Sequence, residues 1–332
     1  MTDLRRSAVC LAVFVAVLGA STSVWAQVPK YDAVISFGDS LSDTGNAWIL
    51  STSLGANPAL PPSDSPHKTY FRGRFSNGPV LFEHLWAKVN PNGGSMIPSL
   101  ATPQLPPRTA VSFAFGTAGT SASCSPVPGL LCQVELFAQS LNGAPASKRT
   151  LYAILSGGTD VLTAPNPFDP AVVGGVVTHV SQAVQRLYQL GARDVIVVNM
   201  PNLGLSPLFA TDPELKNALD LVTQAHNAAL SDALTVLSAS LPGIRIIPVD
   251  VYRYLQSLVA TSAFDFVTPA LDPANAYCLF DGAVPLGVYC HDVATFNVDR
   301  NYFFWDVEHP TKAAHANIAA FIYRTLTEYF AS

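Results

Sequence analysis

The sequence predicts an α/β fold: a three-layer α/β/α sandwich built on one open, five-stranded parallel sheet with helices on both faces. Five short apolar runs, at residues 33–37, 111–115, 151–155, 195–199 and 244–249, are nearly continuous rather than alternating. Strands buried on both faces require that pattern. Helical patterns of crossover length, at 171–190 and 214–241, lie between strand runs. Composition agrees: 49% of the 332 residues are hydrophobic and only 12% charged, against a usual charged share of about 25%, so a large core can be buried.

Residues 1–26 stand apart from this pattern. Arg5 and Arg6 precede an apolar stretch from 8 to 19, and Val24-Trp-Ala26 supplies small residues at a cleavage position. This reads as a secretory signal, with one domain from 27 to 332 remaining. The apolar stretch is shorter than the ~20 residues a membrane-crossing helix needs. The expected location is therefore periplasmic or extracellular, without a stable membrane span.

The first strand run leads into Val34-Ile-Ser-Phe-Gly-Asp-Ser-Leu-Ser-Asp-Thr-Gly-Asn46. Ser40 thus falls just beyond a strand, where a hydroxyl stands at the carboxyl edge of the sheet. A serine hydroxyl is a poor nucleophile unless a base takes its proton and a third group orients the base. Far along the chain, Asp306-Val-Glu-His-Pro-Thr311 offers both. Alone, Gly-Asp-Ser is an ordinary turn composition, and Asp-x-x-His-Pro an ordinary helix entrance with Pro310 in the first helical position. The helical pattern that follows runs over 311–329. His309 precedes a proline, which disfavours helical backbone there and leaves the imidazole on the rim.

The segments between complete the order. The proline-rich stretches 58–66 and 91–107 read as long connections. The second and third strand runs end near Gly116 and Thr159, so both share the sheet edge that follows Ser40; open parallel sheets bind ligands beyond that edge. Gly191 stops the helix at 171–190, and Pro242-Gly243 the one at 214–241. The least regular stretch, 262–305, is rich in aromatics and is expected to wall an acyl pocket or cap the sheet edge.

Four cysteines remain once Cys10 leaves with the signal: Cys124, Cys132, Cys278 and Cys290. In an exported chain an even count reads as disulfides. Three pairings are open, and short-loop closure favours Cys124 with Cys132 and Cys278 with Cys290. No metal-binding motif appears among the scattered histidines, and His67, His84, His179, His226 and His291 are expected as core or surface residues. His315 follows His309 by six positions and falls on the helical pattern after it. Net charge is −5, and with no basic run and no phosphate-binding glycine loop, nucleic acid is not an expected partner. No Gly-x-Ser-x-Gly elbow is present, which argues against an α/β-hydrolase.

Four blocks together resemble the GDSL family of serine esterases and lipases, the SGNH hydrolases, in that family's order: Phe37-Gly-Asp-Ser-Leu41, Phe113-Ala-Phe-Gly-Thr-Ala118, Ser156-Gly-Gly-Thr-Asp160 and Asp306-Val-Glu-His-Pro-Thr311. Gly73-Arg-Phe-Ser-Asn-Gly-Pro79 adds to the likeness. The resemblance implies a flavodoxin-like fold and hydrolysis of carboxylic esters of small molecules or lipids, without metal or organic cofactor. It makes Ser40 the nucleophile, His309 the base and Asp306 its orienting carboxylate. An oxyanion hole would comprise the N–H groups of Ser40 and Gly116 and the side chain at Thr159. At that last position the family carries asparagine, and a threonine hydroxyl reaches less far. The same residues would serve an acyltransferase, and a weakened Thr159 site would leave an exported binding protein. Oligomeric state and the natural ester are not set by these motifs.

Overall fold

The computed structural model describes residues 28–64, 68–102, 104–268 and 301–332, and the backbone of 278–280 and 288–290. The expected signal segment 1–26, His67 and His291 lie outside the described residues. In chain order the elements are β1 (Ala33–Gly38), α1 (Asn46–Ser53), α2 (Leu81–Val89), β2 (Ile97–Pro98), β3 (Val111–Ser112), α3 (Leu130–Ser140), β4 (Thr150–Leu155), α4 (Gly158–Thr163), α5 (Pro170–Leu190), β5 (Asp194–Val198), α6 (Pro213–Ser240), β6 (Arg245–Val249), α7 (Val251–Ala260), β7 (Cys278–Phe280), β8 (Val288–Cys290) and α8 (Lys312–Ala331).

The sheet is parallel throughout, ordered β2-β3-β1-β4-β5-β6. It has six strands, one more than the sequence predicts. The addition, β2, is a two-residue edge strand pairing Ile97 with Val111 and Pro98 with Ser112. It was illegible because it sits inside the proline-rich connection, and a strand of two residues carries no periodicity; proline is tolerated there only because the position is an edge.

Alternation along each strand sends side chains to two cores. Val34, Leu151, Ala153, Leu155, Ile196, Val198, Ile247 and Val249 pack beneath α2, α7 and α8. Ile35, Phe37, Tyr152, Ile154, Val195, Val197 and Ile246 pack beneath α3, α5 and α6. This is the three-layer sandwich. Helix α2 commits Leu81, Phe82, Leu85 and Trp86 to the first core; burying each such side chain stabilises by about 1.5–3 kcal/mol.

Helix ends follow local chemistry. Asp169 and Asp212 cap α5 and α6, each followed by proline in the first turn, and Gly191 ends α5 at φ 118°. Helix α8 starts later than the sequence predicts. Thr311 is its cap, accepting the Ala314 N–H at 3.2 Å, and Pro310 instead bridges to Phe304 as extended chain. A Thr side chain satisfies a free amide at a helix start, which proline at that site would not. No described helix is long and apolar enough to cross a membrane. Cys124 and Cys132 form a disulfide. Cys278 and Cys290 are register partners in the antiparallel β7–β8 pair, but their side chains lie outside the described residues.

Candidate active site

β1 lies between β3 and β4, at the point where the chain order of the sheet reverses, and ligand sites of open α/β sheets gather there. The strand ends at Gly38, at φ 144°, where any Cβ would collide with the Leu155 carbonyl. Gln133 of α3, fully buried, accepts the Gly38 N–H at 2.8 Å and donates to the Gly38 carbonyl at 2.8 Å. The chain is thereby aimed into a turn in which Ser42 N–H bonds the Asp39 carbonyl and Ser40 stands partly exposed. Asp43 fastens the far side of the turn, accepting the backbone N–H groups of Gly45, Asn46 and Ala47.

His309 Nε2 lies 2.8 Å from Ser40 Oγ, although the two residues are 269 positions apart. Its Nδ1 lies 2.6 Å from Asp306 Oδ2. A carboxylate only accepts, so Nδ1 carries the proton and Nε2 is left to accept from the serine hydroxyl. The other carboxylate oxygen receives the N–H groups of Glu308 at 2.7 Å and His309 at 2.6 Å, which ties the short loop to its own acid. Burial alone would raise the Asp306 carboxyl, but the His309 charge and hydrogen bond, the Glu308 N–H and the Tyr70 hydroxyl outweigh it and hold it below its ordinary value. Burial lowers His309, yet the Asp306 charge and hydrogen bond more than compensate and raise it.

Sequence reading missed the residues that support this loop. Tyr70 OH donates to Asp306 Oδ2 at 2.7 Å. Ser76 Oγ donates to the Pro310 carbonyl at 2.8 Å, Lys312 N–H to Asn77 Oδ1 at 2.8 Å, and the Phe75 ring lies 5.1 Å from the imidazole. The Gly73–Pro79 motif marked part of this segment; nothing in its spacing pointed at residues more than two hundred positions away.

The expected oxyanion donors do not all converge. Gly116, expected as an oxyanion donor, gives its N–H to Asp43 Oδ2 at 2.7 Å, the fourth donor to that buried side chain. Gly116 is glycine for a second reason, since a Cβ there would strike the Phe75 ring. Thr159 sits in the first turn of α4 and lines the same cavity as Ser40. Its neighbour Asp160 accepts from Thr120 N–H at 2.9 Å and Thr120 Oγ1 at 2.9 Å, joining the third block to the segment just after the second. His179 extends that link, 2.9 Å from Thr120 Oγ1.

From Ser40, His309 and Thr159 a cavity of about 120 Å³ runs beneath α7 and α8, walled by side chains that include Leu81, Leu155, Val198, Leu255, Phe304 and Ile318. Phe303 and Phe304 come from the aromatic-rich stretch, so part of it does wall the cavity. His315 joins the wall; burial pushes it down to about 3, so it is an uncharged group there. No cluster of His, Cys, Asp or Glu able to hold a metal occurs among the described residues.

The sequence model of the family described as GDSL-like lipase/acylhydrolase matches residues 34–322. A GDSL esterase/lipase of Arabidopsis thaliana is 26% identical over 87% of this chain and 86% of its own length. A second from the same plant is 25% identical over 95% and 96%. Among solved structures, an acetyl xylan esterase overlays with TM-score 0.41 at 10% identity, covering 88% of this chain and 98% of its own. That likeness is too slight to bear on function. The motif order, the β1 edge carrying Ser40 and the extent of the family match lead to one conclusion: this chain belongs to the GDSL-like lipase/acylhydrolase family and is a carboxylic ester hydrolase.

Proposed function

We propose that the chain is an exported esterase that works through an acyl-serine intermediate. The observation that carries the reading is the unbroken line of hydrogen bonds from Ser40 Oγ through both nitrogens of His309 to Asp306. Ser40 Oγ attacks the ester carbonyl while its proton passes to His309 Nε2, and Asp306 stabilises the imidazolium. The tetrahedral intermediate collapses, its C–O bond to the alcohol breaks, and His309 returns the proton to the leaving oxygen. Water then repeats the sequence on the acyl-serine, releasing the acid. The Ser40 N–H and the Thr159 hydroxyl hold the oxyanion; Gly116 would have to release Asp43 to join them.

Substrate follows from the cavity. Its lining is mostly aliphatic and aromatic, suited to an acyl chain that leaves water by apolar burial. A cavity of about 120 Å³ is of the order of the ~150 Å³ apolar cavity that accepts benzene, room for about six carbons. Export is supported by the pattern of residues 1–26 and by the Cys124–Cys132 disulfide, a bond that persists in oxidising compartments.

A p-nitrophenyl ester series from acetyl to palmitoyl, with Ser40→Ala and Thr159→Asn alongside, tests this. Turnover should be greatest near hexanoyl and fall by on the order of 10⁶ in Ser40→Ala. Retained turnover in Ser40→Ala would overturn the acyl-serine reading; a rate rising all the way to palmitoyl would overturn the pocket assignment. If the threonine hydroxyl is a poor donor, Thr159→Asn should gain up to about 10²-fold.

A further inference from the structure

Asp306 Oδ2 is shared. It accepts the His309 Nδ1–H at 2.6 Å and the Tyr70 hydroxyl at 2.7 Å, while Oδ1 takes two backbone N–H groups. Four donors fill the four lone-pair sites of a carboxylate. Tyr70 is 1% exposed, and its phenol proton is held well above the ordinary value by burial, by the Asp306 charge and by this hydrogen bond. The ring is therefore a donor throughout the working range.

Its position is built rather than incidental. Tyr70 N–H bonds the Pro62 carbonyl at 2.9 Å, and Phe71 N–H the Ser76 carbonyl at 2.9 Å. Trp305, next to Asp306, donates its indole N–H to the Thr69 carbonyl at 3.2 Å. Residues 69–77 thus grip both flanks of the acid–imidazole loop, one through Thr69 and Tyr70 and the other through Ser76 and Asn77. A tyrosine used only to fill space would not need its hydroxyl on the charged oxygen that the imidazole also uses.

We propose that Tyr70 is a positioning residue: by sharing Oδ2 it fixes the rotation of the Asp306 carboxylate and limits how strongly that carboxylate holds the His309 proton. Hydrogen bonds from two donors divide the negative charge of one oxygen, so the phenol weakens the pull of Asp306 on the imidazolium. Other titratable groups acting on the pair are the Glu308 and Asp39 carboxyls and the His315 imidazole. None of these three donates to Oδ2, whose hydrogen bonds come from Tyr70 and His309, and removing the phenol leaves them in place. The inference rests on the acyl-serine reading.

Tyr70→Phe keeps the ring and removes the donor. We expect kcat to fall about ten- to hundredfold with KM unchanged, the loss of one charge-assisted hydrogen bond. The acid limb of the kcat/KM profile should move to higher pH, because His309 is then more basic. The far-downfield NMR signal of the His309 Nδ1 proton should move further downfield. Replacement of Tyr70 by a ring-fluorinated tyrosine, a stronger donor of nearly the same shape, should move the limb the other way and covers the case in which Tyr70→Phe does not fold. An unmoved limb and proton signal in the variants that fold would reduce Tyr70 to packing and overturn the inference. Ser40→Ala in the same assay separates the failures: if it stays active the acyl-serine reading falls, and if it is inactive while Tyr70 substitutions change nothing, only the role of Tyr70 falls.

Discussion

Asp39, the residue before Ser40, is 5% exposed, and burial pushes its carboxyl up to about 7 against the opposing Leu41 N–H and His309 charge. A carboxyl raised above its unfolded value of about 3.9 stabilises the fold fully below that pH, and the contribution is lost as pH rises through about 7. Asp39→Asn, which keeps the acceptor for Leu41 N–H, should therefore gain in Tm relative to the parent chain as pH rises from about 4 to about 7. A Tm difference constant across that range would refute the burial argument. At this scale the hydrogen-bonded candidates were legible: Ser40, Asp306 and His309 each sit in a local pattern with a chemical reason. Tyr70, Gln133 and the Asp43 bond to Gly116 were not, because each acts on a residue dozens to hundreds of positions away and its own surroundings in sequence are unexceptional. Thr159 was legible as a departure, yet whether its hydroxyl reaches an oxyanion depends on the start of α4 rather than on its identity.

Strands were the most legible elements, since burial on both faces writes continuous apolar runs. Helices α5 and α6 were legible through their length and their stops. Helices α2, α3 and α7, at 9 to 11 residues a poor length for periodicity, went unread although they carry much of the core. The most consequential of these is α3. Its Gln133 bonds the Gly38 N–H and carbonyl and the Pro128 carbonyl, so the end of β1, and with it Ser40, is held by one amide. Gln133→Ala strands several buried backbone groups, at about 1–3 kcal/mol each. Urea denaturation should show a loss of about 3 kcal/mol or more, and the surviving folded protein should have reduced kcat; unchanged stability would mean that the Gly38 turn stands without the clamp.

Over the whole molecule, two cores on opposite faces of one sheet leave Ser40 and Thr159 at its carboxyl edge, with α8 bringing the far end of the chain back across the α2 face. The Cys124–Cys132 bridge spans 8 positions just before Gln133, and by loop entropy such a closure contributes about 2–3 kcal/mol. Cys124→Ser with Cys132→Ser should lower Tm by several degrees and reduce kcat together, because the start of α3 carries the clamp on Gly38; a lower Tm at unchanged kcat would separate the bridge from the site. The α/β class, five of the six strands and the order of the motif blocks could be read from the amino-acid sequence, which also put forward Ser40, Asp306 and His309 as candidates, because backbone preference, burial on two faces and the chemistry of a serine, an imidazole and a carboxylate are properties of short segments. The rest came from contacts between distant segments: the proline-rich stretch adds an edge strand, Gly116 serves Asp43, α7, α8 and Phe304 wall the cavity beside Ser40, and residues 69–77 brace Asp306. Those outcomes depend on which distant surfaces meet, and a hydrogen bond between residues 236 positions apart leaves no periodicity in either segment.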